Sequence, residues 1–252
     1  MIHPLNKYFD KIFLISIKRN SSRLLNFSSK YPTIEFEIFP GVDGKELFPS
    51  IEFIKDFPID FFKTNNLSFD RCKVWNKGQL GCAMSNYLVQ QEIVKRKLNK
   101  VLILEDDALL LENMLDYFQS AILELPEYWD LFYLGFNPLS KWSENSFTRF
   151  LLKLKHFIRP TITEGLSSGN LCKRYFPSSF STKLNKPGLY GGTHAYALTY
   201  EGALKILDID TPLKFGFDTT LMYANYNMLL KSISLKKPLF VPNPIFDTSL
   251  VN

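Results

Sequence analysis

The chain has 252 residues, of which 46% are hydrophobic, 15% aromatic and 22% charged, with a formal net charge of +5. That suits one globular unit with a sizeable core. Its longest apolar runs, such as Val101 to Leu104, fall far short of the roughly 18–20 residues that cross a bilayer, and Met1 to Lys18 lacks the layout of a secretory signal, so neither a membrane-spanning protein nor a secreted precursor is expected. Three cysteines, Cys72, Cys82 and Cys172, form no CxxC pair. They provide neither a disulfide framework nor a thiolate zinc site, and reduced thiols in a cytoplasmic setting are expected.

In chain order, Lys11 to Ile17 reads as a buried first strand. Asn20 to Ser22 supplies caps for a short helix ending near Tyr31-Pro32, and Ile34, Phe36 and Ile38 alternate with Glu35 and Glu37 as in a half-buried strand. From Gln79, apolar residues recur at helical spacing through Leu98, and the strand Val101 to Leu104 follows. A helix over Leu109 to Leu123 and a strand over Asp130 to Gly135 come next. Beyond them the pattern predicts a strand from His194 to Thr199, a helix from Glu201 to Leu207, another helix from about Asp218 and a last strand at Leu239-Phe240. Strands alternating with helices predict an α/β fold, a mostly parallel central sheet flanked by helices.

One segment interrupts this rhythm. Lys141 to Pro187 holds nine basic and two acidic residues, so its +7 leaves −2 for the rest of the chain. Aromatic and aliphatic residues interleave with the cations, which suits anionic headgroups or a phosphorylated acceptor, although an ordinary solvated amphipathic face has the same look. No nucleic-acid motif accompanies it, so no nucleic-acid partner is expected.

The chemistry concentrates at Glu105-Asp106-Asp107, where the apolar strand Val101 to Leu104 delivers three carboxylates to its carboxyl end. Ligands of open α/β sheets bind at that end. Three adjacent negative charges repel, and a hard divalent cation such as Mg²⁺ or Mn²⁺ among them relieves the repulsion while keeping positions for water and phosphate. The structural alternative is that Asp106 and Asp107 cap a helix starting at Ala108.

The stretch Gly78 to Asn86 (GQLGCAMSN) followed by Leu102 to Asp107 (LILEDD) resembles the signature of glycosyltransferase family 25, the lipooligosaccharide and collagen galactosyltransferases. Ile15 to Arg23 is similar to the family's opening strand and arginine pair, Phe39 to Gly44 to its A-V-D-G segment, and Gly192 to Leu198 to its late strand. The likeness leaves out Phe48 to Lys77 and the basic segment, and it departs from the family at Asn86, where His is usual, and at Asp247-Thr248-Ser249, where the family often has Asp before Ser. It implies a single domain over 1–252 of the GT-A nucleotide-sugar (Rossmann-like) type, with a basic aromatic insertion at about 141–187. It also implies a UDP-sugar donor, Mn²⁺ or Mg²⁺, and inversion at the anomeric carbon.

Roles follow as expectations. Glu105 and Asp107, with Asp106 adjacent, would hold the metal on the diphosphate, and Asp247 is a possible further ligand. An inverting transferase needs a base apart from the metal, and the resemblance to the glycine pair, strand, helix and acidic turn of inverting transferases puts Asp218 there; a plain helix N-cap is the structural alternative. Arg19 and Arg23 are candidates for the donor's phosphates or uracil, against a solvated helix face. Asp43 is assigned to uracil or ribose, against a tight turn; Ser85 to the donor side of its helix, against packing. Gly191 and Gly192 would let backbone approach the sugar, and His194 is either a ligand-facing or a satisfied inward imidazole.

The reading is an inverting transferase that moves a hexose, galactose or glucose, from a UDP-sugar to a glycan hydroxyl. The acceptor would be lipopolysaccharide or a glycoprotein glycan, with peripheral contact at the membrane's inner face through the basic segment. A non-catalytic glycan- or lipid-binding module and a metal-dependent phosphoesterase are the rivals; three scattered histidines, His3, His156 and His194, argue against the second.

Overall fold

The computed structural model of the protein describes residues 2–47, 77–138, 176–211, 213 and 216–246. Its centre is an eight-stranded sheet built from β1 (Lys11–Ser16), β2 (Glu37–Pro40), β3 (Val101–Glu105), β5 (Leu131–Pro138), β6 (Ser178–Ser179), β7 (Leu184–Lys186), β8 (Tyr190–Leu198) and β9 (Ser232–Leu235), in the order β2-β1-β3-β8-β5-β9-β7-β6. The pairings make β8 and β7 antiparallel to their neighbours while the other six strands run one way, so the sheet is mostly parallel. A two-stranded ribbon of β4 (Ala108–Leu110) and β10 (Phe240–Pro242) sits beside it.

Period-two alternation sorts the central strands onto two cores. Ile12, Leu14, Leu102, Leu104, Phe132, Leu134, Ala195 and Ala197 join one buried cluster. Helices α1 (Pro4–Tyr8), α2 (Ser21–Lys30) and α5 (Leu115–Ile122) cover it with Leu5, Phe27 and Phe118. Phe13, Ile15, Val101, Ile103, Leu131, Tyr133, Tyr196 and Leu198 form the other cluster. It is covered by α4 (Lys77–Arg96), α6 (Tyr200–Ile209) and α7 (Phe217–Tyr226) through Val89, Ile93, Ile206 and Leu221. Burial on both faces is why these strands read as continuous apolar runs.

Three expectations are corrected. The segment Leu109 to Leu123 is not one helix: Ala108–Leu110 pairs with β10, a 3-10 turn spans Glu112–Met114, and α5 begins only at Leu115. The partner strand lies some 130 residues away, and Tyr31 fastens β4 further by accepting from the Leu110 N–H and donating to its carbonyl. The second strand starts at Glu37, and Ile38 is 53% exposed. There the inward residue is Phe39, edge-on to Phe13, while Glu37 pairs with Lys11 and, at 2.9 Å, Arg96, so the facing is shifted by one residue on an edge strand. Asp106 and Asp107 lie in a turn between β3 and β4, and no helix is there for them to cap.

The basic segment lies outside the described residues up to 175. Its end forms the β6–β7 hairpin, tied to Glu124 by Ser181 and by Lys183 at 3.1 Å. Among the described residues no helix is long and apolar enough to cross a membrane.

The loop after β2 packs backbone-to-backbone on α4. A Cβ at Gly81 would stand 2.5 Å from the Val42 carbonyl oxygen and 2.9 Å from the Gly44 nitrogen, neither able to yield as a side-chain tip would. Gly81→Ala is therefore expected to cost about 1–3 kcal/mol, read as a fall in melting temperature of roughly 2–4 °C per kcal/mol for a chain of this size. An unchanged melt would show that the contact is not tight.

Candidate functional site

The parallel trio β2-β1-β3 ends on one edge of the sheet, and the residues following each strand gather there. Because β8 runs antiparallel beside β3, pairing Ala195 with Leu104, its early residues Gly191 to His194 come to the same edge. The end of β5 arrives too, with Asn137 opposite Gly191. This crevice outside the carboxyl ends of parallel strands is where sheets of this kind hold ligands.

Ser16, the last residue of β1, donates to Asp106 Oδ2 at 2.7 Å. Arg23, in the first turns of α2, places Nη1 3.0 Å from Asp107 Oδ2 and 3.5 Å from Asp106 Oδ1. Both aspartates are buried, and Asp107 Oδ1 has no hydrogen-bond partner. Burial pushes the Asp106 carboxyl up to about 6, with Ser16 and Arg23 pulling the other way. Glu105 is half-buried; desolvation, then the charges of Asp107, Asp218 and Asp106, push it well above the usual carboxylate range.

Across from Glu105, Cys82 on α4 brings its thiol to 4.0 Å from Oε1. Desolvation, then the Glu105 and Asp218 charges, push this thiol well above its ordinary value, although the residue keeps solvent exposure. Four residues on, Asn86 donates to the Cys82 carbonyl at 3.0 Å and accepts from the Tyr196 hydroxyl, linking α4 to β8.

Asp218 stands at the second position of α7, whose N-cap is Gly216, so it is not the cap. Its carboxylate instead reaches β8: Oδ2 accepts from Gly192 N–H at 2.7 Å, and Oδ1 accepts from the Thr193 N–H at 3.2 Å and from the Thr193 hydroxyl. Gly192 has φ +61°, the left-handed region that favours glycine. His194 is buried and faces the Phe240 carbonyl through Nε2 at 3.2 Å; burial lowers its pKa. That is the satisfied inward imidazole.

The remaining assigned residues hold the walls. Arg19 lies 3.1 Å from Asp43, whose Oδ1 accepts from the N–H of Lys45 at 2.9 Å and opens the short helix α3 (Gly44–Leu47). Ser85 accepts from the Val42 N–H at 2.7 Å and donates to the Gly81 carbonyl, latching that loop to α4. The arginine pair and Asp43 thus engage one another or the acid turn. Asp247 lies outside the described residues.

Among the described residues, no three His, Cys, Asp or Glu side chains converge as a metal-holding set. The donors present still fit a hard divalent ion. Glu105 and Asp107 are oxygen ligands, Asp107 Oδ1 is buried without a partner, and Glu105 feels three like charges. Mg²⁺ and Mn²⁺ commonly take one or two carboxylates and complete their shell with water and substrate phosphate.

Sequence reasoning passed over Ser16, Cys82 and Tyr196. Ser16 was discoverable only by pairing β1 with β3, since Ile15 stands opposite Glu105.

The family described as "Glycosyltransferase family 25 (LPS biosynthesis protein)" matches residues 9–221. A "Glycosyltransferase 25 family member" of Drosophila melanogaster is 33% identical over 143 residues, 54% of this chain and 22% of that protein. "Procollagen galactosyltransferase 2" of Homo sapiens is 30% identical over 53% of this chain and 22% of its own length. "Inactive glycosyltransferase 25 family member 3" of Mus musculus is 30% identical over 50% and 22%. The matched part of this chain thus spans about a fifth of these relatives.

Proposed function

The chain belongs to glycosyltransferase family 25, and we propose that it is an inverting transferase moving a hexose, galactose or glucose, from a UDP-sugar to a hydroxyl of a glycan acceptor. The observation that supports this most is the turn after β3, which leaves Asp107 Oδ1 buried and unpaired beside Glu105 at the ligand-binding edge of the sheet. Glu105 and Asp107 would hold Mn²⁺ or Mg²⁺ there. A divalent cation supplies the positive charge that makes a diphosphate a good leaving group.

The chain's own residues would do the rest. Asp218 takes the proton from the attacking hydroxyl: with Gly192 on Oδ2 and two donors on Oδ1, Oδ2 has room for one more donor. The bonds from Gly192 and Thr193 fix the carboxylate against the backbone of β8, so it presents one orientation to the acceptor. Ser16 and Arg23 keep Asp106 and Asp107 in place, and Arg19 with Asp43 shapes the nucleotide side. The acceptor is a lipopolysaccharide or glycoprotein glycan, met on the cytoplasmic side, and the positive charge of the sequence from Lys141 to Pro187 suits an anionic acceptor or the membrane that carries it.

A screen of UDP-Gal, UDP-Glc and UDP-GlcNAc for slow hydrolysis to UDP, with Mn²⁺ and with EDTA, tests the reading. One donor consumed only with metal is expected. No consumption and no binding of any donor would favour the non-catalytic binding module; the mouse relative is itself named inactive.

A further inference from the structure

We propose that Arg23 is a positioning residue that acts through the acid turn, holding Asp107 so that its second oxygen is the one left for a divalent cation. The inference rests on the metal reading of Glu105 and Asp107 above, and it assigns Arg23 a task other than contact with the donor's phosphates.

The turn has four aspartate oxygens. Asp106 Oδ2 is held by Ser16, Asp106 Oδ1 lies 3.5 Å from Arg23 Nη1, and Asp107 Oδ2 lies 3.0 Å from the same nitrogen. Only Asp107 Oδ1 is buried without a hydrogen-bond partner. One guanidinium nitrogen therefore bridges the two carboxylates and determines which oxygen remains. Arg23 is itself well anchored: its side chain is 12% exposed, and the Phe246 ring centre lies 5.4 Å from its guanidinium carbon. The Phe246 segment is bound to the same turn, because Asn243 N–H donates to the Asp107 carbonyl at 2.8 Å and Pro242 pairs with Ala108. Arg23, the acid turn and the segment after β10 form one packed unit.

The sign of the effect separates positioning from mere charge. Removing a cation beside a metal site, with nothing else changed, lowers repulsion and tightens Mn²⁺. Removing a group that orients a ligand weakens it, by about 10- to 100-fold for partners of metal-binding side chains. Mn²⁺ alone is titrated calorimetrically into the wild type, Arg23→Met and Arg23→Lys, with melting curves to confirm folding. Arg23→Met keeps the apolar stem and removes the bridge; Arg23→Lys keeps a cation of shorter reach. A loss of about 10-fold or more in Arg23→Met, with part of it recovered in Arg23→Lys, supports the proposal. Unchanged or tighter Mn²⁺ binding by folded Arg23→Met overturns it and leaves the metal site standing. If the wild type holds no Mn²⁺, the metal reading falls, and this inference falls with it.

Discussion

Asp107→Ala is expected to abolish sugar transfer while leaving the fold in place. A metal-bound carboxylate at a leaving diphosphate contributes several kcal/mol of transition-state stabilisation, and each 1.4 kcal/mol or so is tenfold in rate, so a loss of about 100-fold or more is expected. Stability follows different physics. The substitution removes a buried oxygen without a hydrogen-bond partner and one of the like charges pressing on Glu105, while Arg23 keeps Asp106 as its counter-ion. No helix is capped by Asp107, so no cap is lost. Gain and loss oppose, and the metal-free melting temperature should stay within about 3 °C, roughly 1 kcal/mol at this size. A mutant that unfolds would make the acid turn a structural device.

Asp218→Asn tests the other half of the site. Loss of a general base lowers turnover by about 10²–10⁴-fold, and UDP affinity should change far less, because Asp218 is hydrogen-bonded to β8 and bears on Glu105 through its charge. The substitution also turns an amide donor toward one of the N–H groups of Gly192 and Thr193, a buried mismatch worth about 1–3 kcal/mol. Turnover must therefore be measured on the folded fraction, with UDP binding as the control. A variant that loses UDP binding as severely as turnover would place Asp218 on the donor instead.

The buried central strands and the acid turn were legible because their signals are local. Ile12 to Ile15 and Val101 to Leu104 are continuous apolar runs, Leu80, Ala83, Met84 and Tyr87 recur at helical spacing, and three carboxylates follow an apolar strand. What escaped depends on partners far along the chain. Leu109 and Leu110 carry no mark of the strand Phe240–Pro242 that pairs with them. Ile38 looks inward until the edge position of β2 turns Phe39 in its place. Nothing local to Arg23 shows that it meets Asp107 from 84 residues away. Asp218 resembles a cap for the same reason, since the amides of Gly192 and Thr193 that it binds belong to another element.

Glu105 and Asp107 are proposed to bind a nucleoside diphosphate through a divalent cation. Calorimetric titration of UDP into the wild type and Asp107→Ala, each with Mn²⁺ and with EDTA, tests it most directly. The account predicts binding by the wild type in Mn²⁺ only, and none by the variant under either condition. UDP bound equally well in EDTA, or by Asp107→Ala in Mn²⁺, would contradict it.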